Sequence, residues 1–140
     1  MTNNIDPNPE QFAQFKSLPR DTEIMMLNLI ELKQTANYDD QNLIVSGAEA
    51  YKRYGEESGP IFSRVGGEIL WRGKPECVLI GPESEHWDIA FIAKYPNAGA
   101  FLEMVTDPAY QAIVFHRQAA VKDNRLIRMG VSATGDAFSA

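Results

Sequence analysis

The fold of this chain is decided by one stretch of its sequence, EIMMLNLIEL at residues 23–32. Apolar residues occupy both alternating sets of positions, so both faces of an extended strand would be apolar. Such a strand is typical of the interior of a sheet, where other parts of the protein cover each face. The stretch therefore predicts a central strand that needs cover on two sides.

Helix signals lie on both sides of this strand. Before it, Asn8-Pro9-Glu10 combines a capping side chain with a proline at the first helical position and predicts a short helix. After it, residues 33–45 are polar and predict a mobile connection. The capping box Ser46-Gly47-Ala48-Glu49 then predicts a helix that ends at Gly66-Gly67.

The rest of the chain repeats the strand–helix–strand order. Asn97 predicts the cap of one helix, and Asp107-Pro108 predicts the start of a second helix that continues to about Val121. Extended segments, with a bend at Gly73 between the first two, are predicted at residues 68–72, 77–80, 88–95 and 125–131.

Two strand–helix–strand units with right-handed crossovers predict an α+β fold of the ferredoxin-like kind, βαββαβ, in which helices cover one face of a four-stranded antiparallel sheet. The predicted organisation is an N-terminal arm with a short helix at residues 1–22, the ferredoxin-like domain at 23–131 and a flexible tail at 132–140. The other sheet face would lack cover in a monomer. The sequence therefore predicts a homodimer with sheet face against sheet face.

Composition excludes several classes of partner. The net charge of −6 disfavours a nucleic-acid partner and docking on anionic membranes. No apolar run approaches the roughly 20 residues that span a bilayer. Residues 1–7 have no basic segment and no apolar stretch, so a secretory signal is not expected there. A single cysteine excludes an internal disulfide, and a cytoplasmic location is predicted.

Short motifs along the chain occur in an order that resembles the domain-of-unknown-function 1330 family. They include Met26-Leu27-Asn28-Leu29, Ala50-Tyr51, Arg53-Tyr54, Gly66-Gly67, Trp87-Asp88, Tyr95-Pro96, Phe101-Leu102-Glu103-Met104, Asp107-Pro108-Ala109-Tyr110-Gln111 and His116-Arg117-Gln118-Ala119-Ala120. The resemblance covers about residues 26–127. It implies membership of the dimeric α+β barrels, and it implies no established activity.

Three polar residues occupy positions where apolar ones are expected. Asn28 is in phase with Ile24, Met26 and Ile30, and Arg117 lies in the apolar stripe of the last helix, next to His116. Each has an ordinary structural interpretation: a hydrogen bond within the protein for Asn28 and His116, and an ion pair or a solvent-exposed guanidinium for Arg117. The functional interpretation is that all three are catalytic groups at a pocket between sheet and helices.

Some monooxygenases on the same dimeric barrel place an asparagine on the first strand and a histidine on the second helix, as Asn28 and His116 would be placed here. Trp71 or Trp87 could supply an aromatic group. Further ligand-binding candidates are Arg72, Tyr54 and Tyr95, each of which is also explained by exposure to solvent or by core packing.

Other chemistries find little support in the sequence. Glu83, Glu85, His86 and Asp88 share one loop, but their spacing matches no zinc pattern, so no metal site is predicted. Cys77 has no base beside it and is interpreted as a strand thiol. Phosphate-loop, dinucleotide, nucleophile-elbow and zincin motifs are missing, and no cofactor is predicted.

Two hypotheses follow. In the first, the protein is a homodimer whose pockets bind a small hydrophobic or anionic molecule, with chemistry like that of a cofactor-independent oxygenase or isomerase. In the second, it is a non-catalytic dimeric structural or ligand-binding module whose polar residues form an internal hydrogen-bond network. Convergence of Asn28, His116 and Arg117 on an open cavity would favour the first.

Overall fold

The centre of the structure is an antiparallel sheet of four strands: β1 (Ile24–Leu32), β2 (Glu68–Gly73), β3 (Ile89–Tyr95) and β4 (Val121–Gly130). Their order is β2-β3-β1-β4, so β1 is an inner strand, as its sequence predicts. The structure is a computed structural model that describes residues 4–135 and 137–138. Positions 1–3 of the predicted arm and positions 136, 139 and 140 of the predicted tail lie outside the described residues.

The helices lie against one face of the sheet, which we call the inner face. They are α1 (Pro9–Ser17), α2 (Gly47–Arg64), α3 (Ala98–Thr106), α4 (Pro108–Gln111) and α5 (Phe115–Ala120). Ile24, Met26 and Tyr95 of the sheet are buried in one core with Ile61 of α2 and Met104 of α3. The predicted ferredoxin-like α+β arrangement is confirmed.

The predicted helix caps are present. The side chains of Asn8, Ser46 and Asn97 accept hydrogen bonds from the backbone N–H three residues later, at 2.7, 3.0 and 2.8 Å. At the end of α2, Gly66 has φ of 90°, a conformation that glycine adopts without steric cost. Local sequence therefore determines where these helices begin and end.

Two predicted segments are wrong. Residues 77–80 do not extend the sheet, because β2 ends at Gly73 and Pro75 has no N–H to donate. Leu79 and Ile80 are instead 89% and 92% exposed. The helix predicted to reach Val121 is divided into α4 and α5, and β4 begins at Val121, where the buried β-branched side chain pairs with Leu32.

The connection at residues 33–45 is not the mobile segment that its polarity predicts. Ala36 N–H donates to Val45 O and Asn37 N–H donates to Ala119 O, both at 2.9 Å. Ala36 and Tyr38 are buried in a second core beneath the connection. The backbone hydrogen bonds and the burial of these two side chains hold the segment against α5.

The sheet face away from the helices, which we call the outer face, is also apolar. A bulge in β2 between Ile69 and Trp71 places Ile69 opposite Ala93 on the inner face and Trp71 opposite Ile92 on the outer face. Trp71, Ile127 and Met129 are exposed. Within the described residues, no helix combines the length and apolarity that a membrane crossing requires.

Candidate functional site

A cavity of about 1130 Å³ lies between the inner face of the sheet and the helices. Its floor is formed by strand residues such as Met26, Asn28 and Phe91, and its walls by α2, α3 and α5. Apolar and aromatic side chains make up most of the lining. This volume is slightly above the usual range of small-molecule pockets, roughly 300–1,000 Å³, so the fold provides space for a ligand.

Asn28 faces the cavity because it shares the inner face with Met26 and Ile30, opposite Phe91 and Leu126 of the neighbouring strands. Its carboxamide donates from Nδ2 to Met26 O at 3.0 Å. One N–H of the amide and the side-chain oxygen remain for other partners. Asn28 is therefore satisfied without a ligand and still has groups that could bind one.

Arg117 reaches the cavity from α5, and its guanidinium is fixed by groups of the protein. Nη1 donates to Ile5 O at 2.8 Å, and Nη2 donates to Asn124 Oδ1 at 3.1 Å. Asp6 lies 3.6 Å from Nη1. Because arginine has five N–H donors, these contacts orient the guanidinium and leave donors for another anion.

Arg72 is the second guanidinium at the cavity. It follows the β2 bulge and lies opposite Phe91, which returns it to the inner face. Among the described residues, none forms an ion pair with Arg72. Arg72 is exposed to solvent, and its N–H donors are available to an anionic ligand at this side of the cavity.

Tyrosine hydroxyls supply neutral donors on the cavity wall. Tyr54 Oη and Tyr110 Oη are 2.8 Å apart and share a hydrogen bond. Burial raises the pKa of Tyr51, Tyr95 and Tyr110 well above the usual range, and the guanidinium of Arg117 only partly offsets this for Tyr51 and Tyr110. These phenols therefore stay protonated at neutral pH and can donate hydrogen bonds to a ligand.

His116, predicted as catalytic, is not among the residues that line this cavity. Its imidazole is buried between Tyr38 Oη, 2.6 Å from Nδ1, and Glu57 Oε2, 2.6 Å from Nε2. The three side chains join the 33–45 connection, α2 and α5. Tyr38 and Glu57 are not predicted from the sequence as partners of His116. The spacing of Ala36 and Tyr38, two residues apart, is the pattern that could have indicated a buried segment.

The predicted ligand-binding residues divide between the two sheet faces. Arg72, Tyr54 and Tyr95 line the cavity together with Asn28 and Arg117, whereas Trp71 lies on the outer face because of the bulge in β2. Trp87, the alternative aromatic residue, is buried elsewhere under the guanidinium of Arg125, 5.1 Å from its ring.

The carboxylates of the loop at residues 83–88 form contacts within the protein. Glu85 pairs with Arg125 at 3.5 Å, and Asp88 accepts from Leu32 N–H at 2.8 Å. No cluster of three or more metal-ligating side chains occurs in the part of the chain that the structure describes.

The N-terminal segment completes the cavity rim. Asp6, Pro7 and Phe12 belong to the lining, although they precede β1. Contacts between Asp6 and the last helix span 112 residues of sequence, and no local pattern announces them. The site as a whole combines two guanidiniums, an amide and phenol donors with an apolar interior, an arrangement suited to a molecule with an apolar body and an anionic or carbonyl group.

Comparison with known proteins gives a family and close structural relatives. The model of the family described as domain of unknown function (DUF1330) matches residues 41–131. A crystal structure of RPA0582, a protein of unknown function from Rhodopseudomonas palustris, is 52% identical over 94% of this chain and 99% of its own, with a TM-score of 0.89. A crystal structure of methylated RPA0582 is 51% identical, covering 97% and 100% of the two chains, with a TM-score of 0.92.

A more distant likeness concerns the fold alone. SnoaB, a cofactor-independent oxygenase from Streptomyces nogalater, is 13% identical over 83% of this chain and 99% of its own, with a TM-score of 0.52. Among curated proteins, no match to the chain is found.

Proposed function

The chain belongs to the family described as domain of unknown function (DUF1330), and we propose that its cavity binds a small molecule with an apolar or aromatic body and an anionic group such as a carboxylate. The supporting observation is the presence of Arg72 and Arg117 at one largely apolar cavity of about 1130 Å³. An apolar body would fill the interior, and the anion would accept charge-assisted hydrogen bonds from a guanidinium.

Two dyes with the same skeleton test this proposal. 1-Anilinonaphthalene-8-sulfonate carries an anionic group, and N-phenyl-1-naphthylamine lacks it. We expect both dyes to bind, and we expect Ser58→Trp, which places an indole at the cavity wall, to weaken both. Arg72→Gln should weaken the anionic dye by about two- to fivefold, the range of a solvent-accessible ion pair, and should leave the neutral dye unchanged.

Arg20→Gln is the matched control, because Arg20 is an exposed arginine outside the cavity lining. Circular dichroism of each variant verifies the fold. If Ser58→Trp leaves the binding of both dyes unchanged, or if Arg72→Gln and Arg117→Gln both bind the anionic dye like the wild type, the proposal is wrong.

Catalysis like that of a cofactor-independent oxygenase or isomerase is the second candidate. SnoaB, a cofactor-independent oxygenase, has a similar fold, and Asn28 with the neutral phenols could stabilise an enolate oxygen. Such chemistry also needs a base at the substrate, whereas His116 is bonded to Tyr38 and Glu57 outside the cavity lining. Ligand binding therefore accounts for more of the geometry.

His116→Ala and Asn28→Ala separate the catalytic candidate from an internal network. A catalytic role predicts loss of turnover in both variants on any substrate that the wild type converts. If both variants convert every such substrate as well as the wild type, the catalytic role of these residues is abandoned, and the Tyr38–His116–Glu57 contacts are structural.

We also propose that the partner of this protein is a second copy of itself. The outer face is an apolar surface that the described residues leave without cover, and it includes Leu27, Trp71, Ile92 and Ile127. Two such faces related by a two-fold axis are self-complementary, because each apolar patch would cover the other. This arrangement also accounts for the apolar character of both faces of β1.

A further inference from the structure

The segment of residues 4–7 crosses the cavity rim with its backbone firmly anchored. Asn124 donates to Asn4 O from its N–H at 2.9 Å and from Nδ2 at 2.7 Å, and Asn4 N–H donates to Asp123 Oδ1 at 2.9 Å. Arg117 Nη1 donates to Ile5 O at 2.8 Å. These four short hydrogen bonds fix residues 4 and 5 beside Arg117.

The side chain of Asp6, which follows, is held loosely. Its Oδ1 lies 3.6 Å from Arg117 Nη1, and its two oxygens lie 3.5 and 3.4 Å from Gln118 Nε2. Charge-assisted hydrogen bonds are normally about 2.7–2.9 Å long. The Asp6 side chain is also 53% exposed, whereas that of Arg117 is 14% exposed. A carboxylate therefore sits at a fixed guanidinium without forming a strong bond to it.

We propose that Asp6 is a built-in occupant of the anion subsite at Arg117, and that the carboxylate of a bound ligand takes its place. This inference rests on the proposed function and concerns how the binding of anions at the same cavity is regulated. Asp6 carries a carboxylate, as the proposed ligand does. This carboxylate lies at Arg117, which is the donor that the ligand would use. Arg117 need not move, because Ile5 O and Asn124 Oδ1 hold it in either state.

Only the side chain of Asp6 has to rotate in this exchange. Proline fixes φ at Pro7 and disfavours the helical conformation for the residue before it, so the backbone of Asp6 has little freedom to change. The displaced carboxylate turns into solvent, which already reaches it. An anionic ligand competes with Asp6, and a neutral ligand leaves Asp6 in place, so the exchange sets the affinity for anions in particular.

Asp6→Asn tests the exchange with the two matched dyes. Removing the competing charge should strengthen the binding of 1-anilinonaphthalene-8-sulfonate by about two- to fivefold, the range of a solvent-accessible ion pair, and should leave N-phenyl-1-naphthylamine unchanged. Asp21→Asn removes one charge from an exposed site outside the cavity lining and should change neither affinity. Asp6→Ser should reproduce the effect of Asp6→Asn.

The results distinguish the two proposals. If Arg72→Gln or Arg117→Gln weakens the anionic dye while Asp6→Asn and Asp6→Ser bind it like the wild type or more weakly, the cavity function stands and the exchange is overturned. The same holds if Asp21→Asn strengthens the anionic dye as much as Asp6→Asn, because net charge would then explain the gain. If neither arginine variant affects the anionic dye, the proposed function fails, and the exchange fails with it.

Discussion

At the scale of single residues, the polar side chains of Asn28 and Arg117 are held at the cavity by partners at very different distances along the sequence. The period of β1 identifies Asn28 as a polar residue in an apolar layer, and it does face the cavity. Its hydrogen-bond partner, Met26 O, lies two residues away in the same strand. For Arg117 the partners Ile5 and Asn124 come from two other segments, and only the tertiary structure brings them together.

The buried tyrosines predict a loss of stability in alkaline solution. Burial raises the pKa of Tyr95 and Tyr110 in the folded state, whereas in the unfolded chain each is near 10. The folded state then keeps protons that the unfolded state releases. This contribution to stability is fully present below about pH 10 and is lost as pH rises through the folded pKa, by up to about 1.4 kcal/mol per pH unit for each tyrosine.

Urea unfolding between pH 8 and 11.5 measures this loss. Tyr95→Phe should make the decline above pH 10 shallower by the contribution of one tyrosine, because the hydroxyl of Tyr95 has only a long 4.0 Å contact with Met104 Sδ. Tyrosinate absorbance gives an independent readout. Titration of all five tyrosines near pH 10 in the folded protein would contradict the prediction.

At the scale of the elements, two glycines of α2 have opposite roles. A Cβ on Gly47 would collide with the carbonyl oxygen of Lys33, so glycine is required where the start of α2 meets the end of β1. A Cβ on Gly55 would have no atom within 4 Å. Replacement of glycine by alanine should therefore change the free energy of unfolding in opposite directions at these two positions of one helix.

We expect Gly55→Ala to raise the free energy of unfolding by roughly 0.5–1 kcal/mol, because alanine loses less backbone entropy in a helix. Gly47→Ala should lower it by more than 1 kcal/mol, since the first turn of α2 must shift. Chemical denaturation of the two variants, each serving as the control of the other, tests this. Equal effects at both positions would show that the packing of Gly47 does not matter.

Elements with local signals were predicted well, and those decided by distant contacts were not. Caps at Asn8, Ser46 and Asn97 are encoded within four residues, so the sequence is sufficient to place those helix starts. The bulge that turns Trp71 to the outer face depends on the pairing of β2 with β3. Residues 77–80 have the composition of a strand and were predicted as one, but among the residues that the structure describes no strand pairs with them.

At the scale of the whole molecule, the outer face predicts the oligomeric state. Ile127 lies on β4 opposite Leu27, at a position where a lysine would place a charge within the proposed interface. We expect the wild type to have twice the 15.6 kDa mass of one chain, and Ile127→Lys to have the mass of a monomer. Light scattering after size-exclusion chromatography measures both masses.

Leu18→Lys is the control for this change, because Leu18 is an exposed leucine at the end of α1 and not part of the outer face. Its mass should equal that of the wild type. A wild type that is monomeric at every concentration, or an Ile127→Lys variant that stays dimeric, would contradict the proposed interface.

Part of the candidate site could be predicted from the sequence, because some of its residues lie on elements with local signals. The others are brought to the cavity only by distant contacts. Asn28, Arg72, Tyr54, Tyr95 and Arg117 all line the cavity, as expected for residues on the inner face of strands and helices. His116 neighbours Arg117 in sequence, but about 100° of helix rotation turns it to Tyr38 and Glu57. Asp6 was missed, because no pattern links the start of the chain to α5.

The anchor between Asn4 and Asn124 also bears on the order of folding events. It joins residues 120 positions apart, and closing so long a loop is entropically costly until the rest of the chain is compact. The N-terminal segment should therefore dock after the rate-limiting step. In stopped-flow urea experiments, deletion of residues 1–7 should accelerate unfolding and leave the folding rate almost unchanged, whereas slower folding would mean that this segment belongs to the folding nucleus.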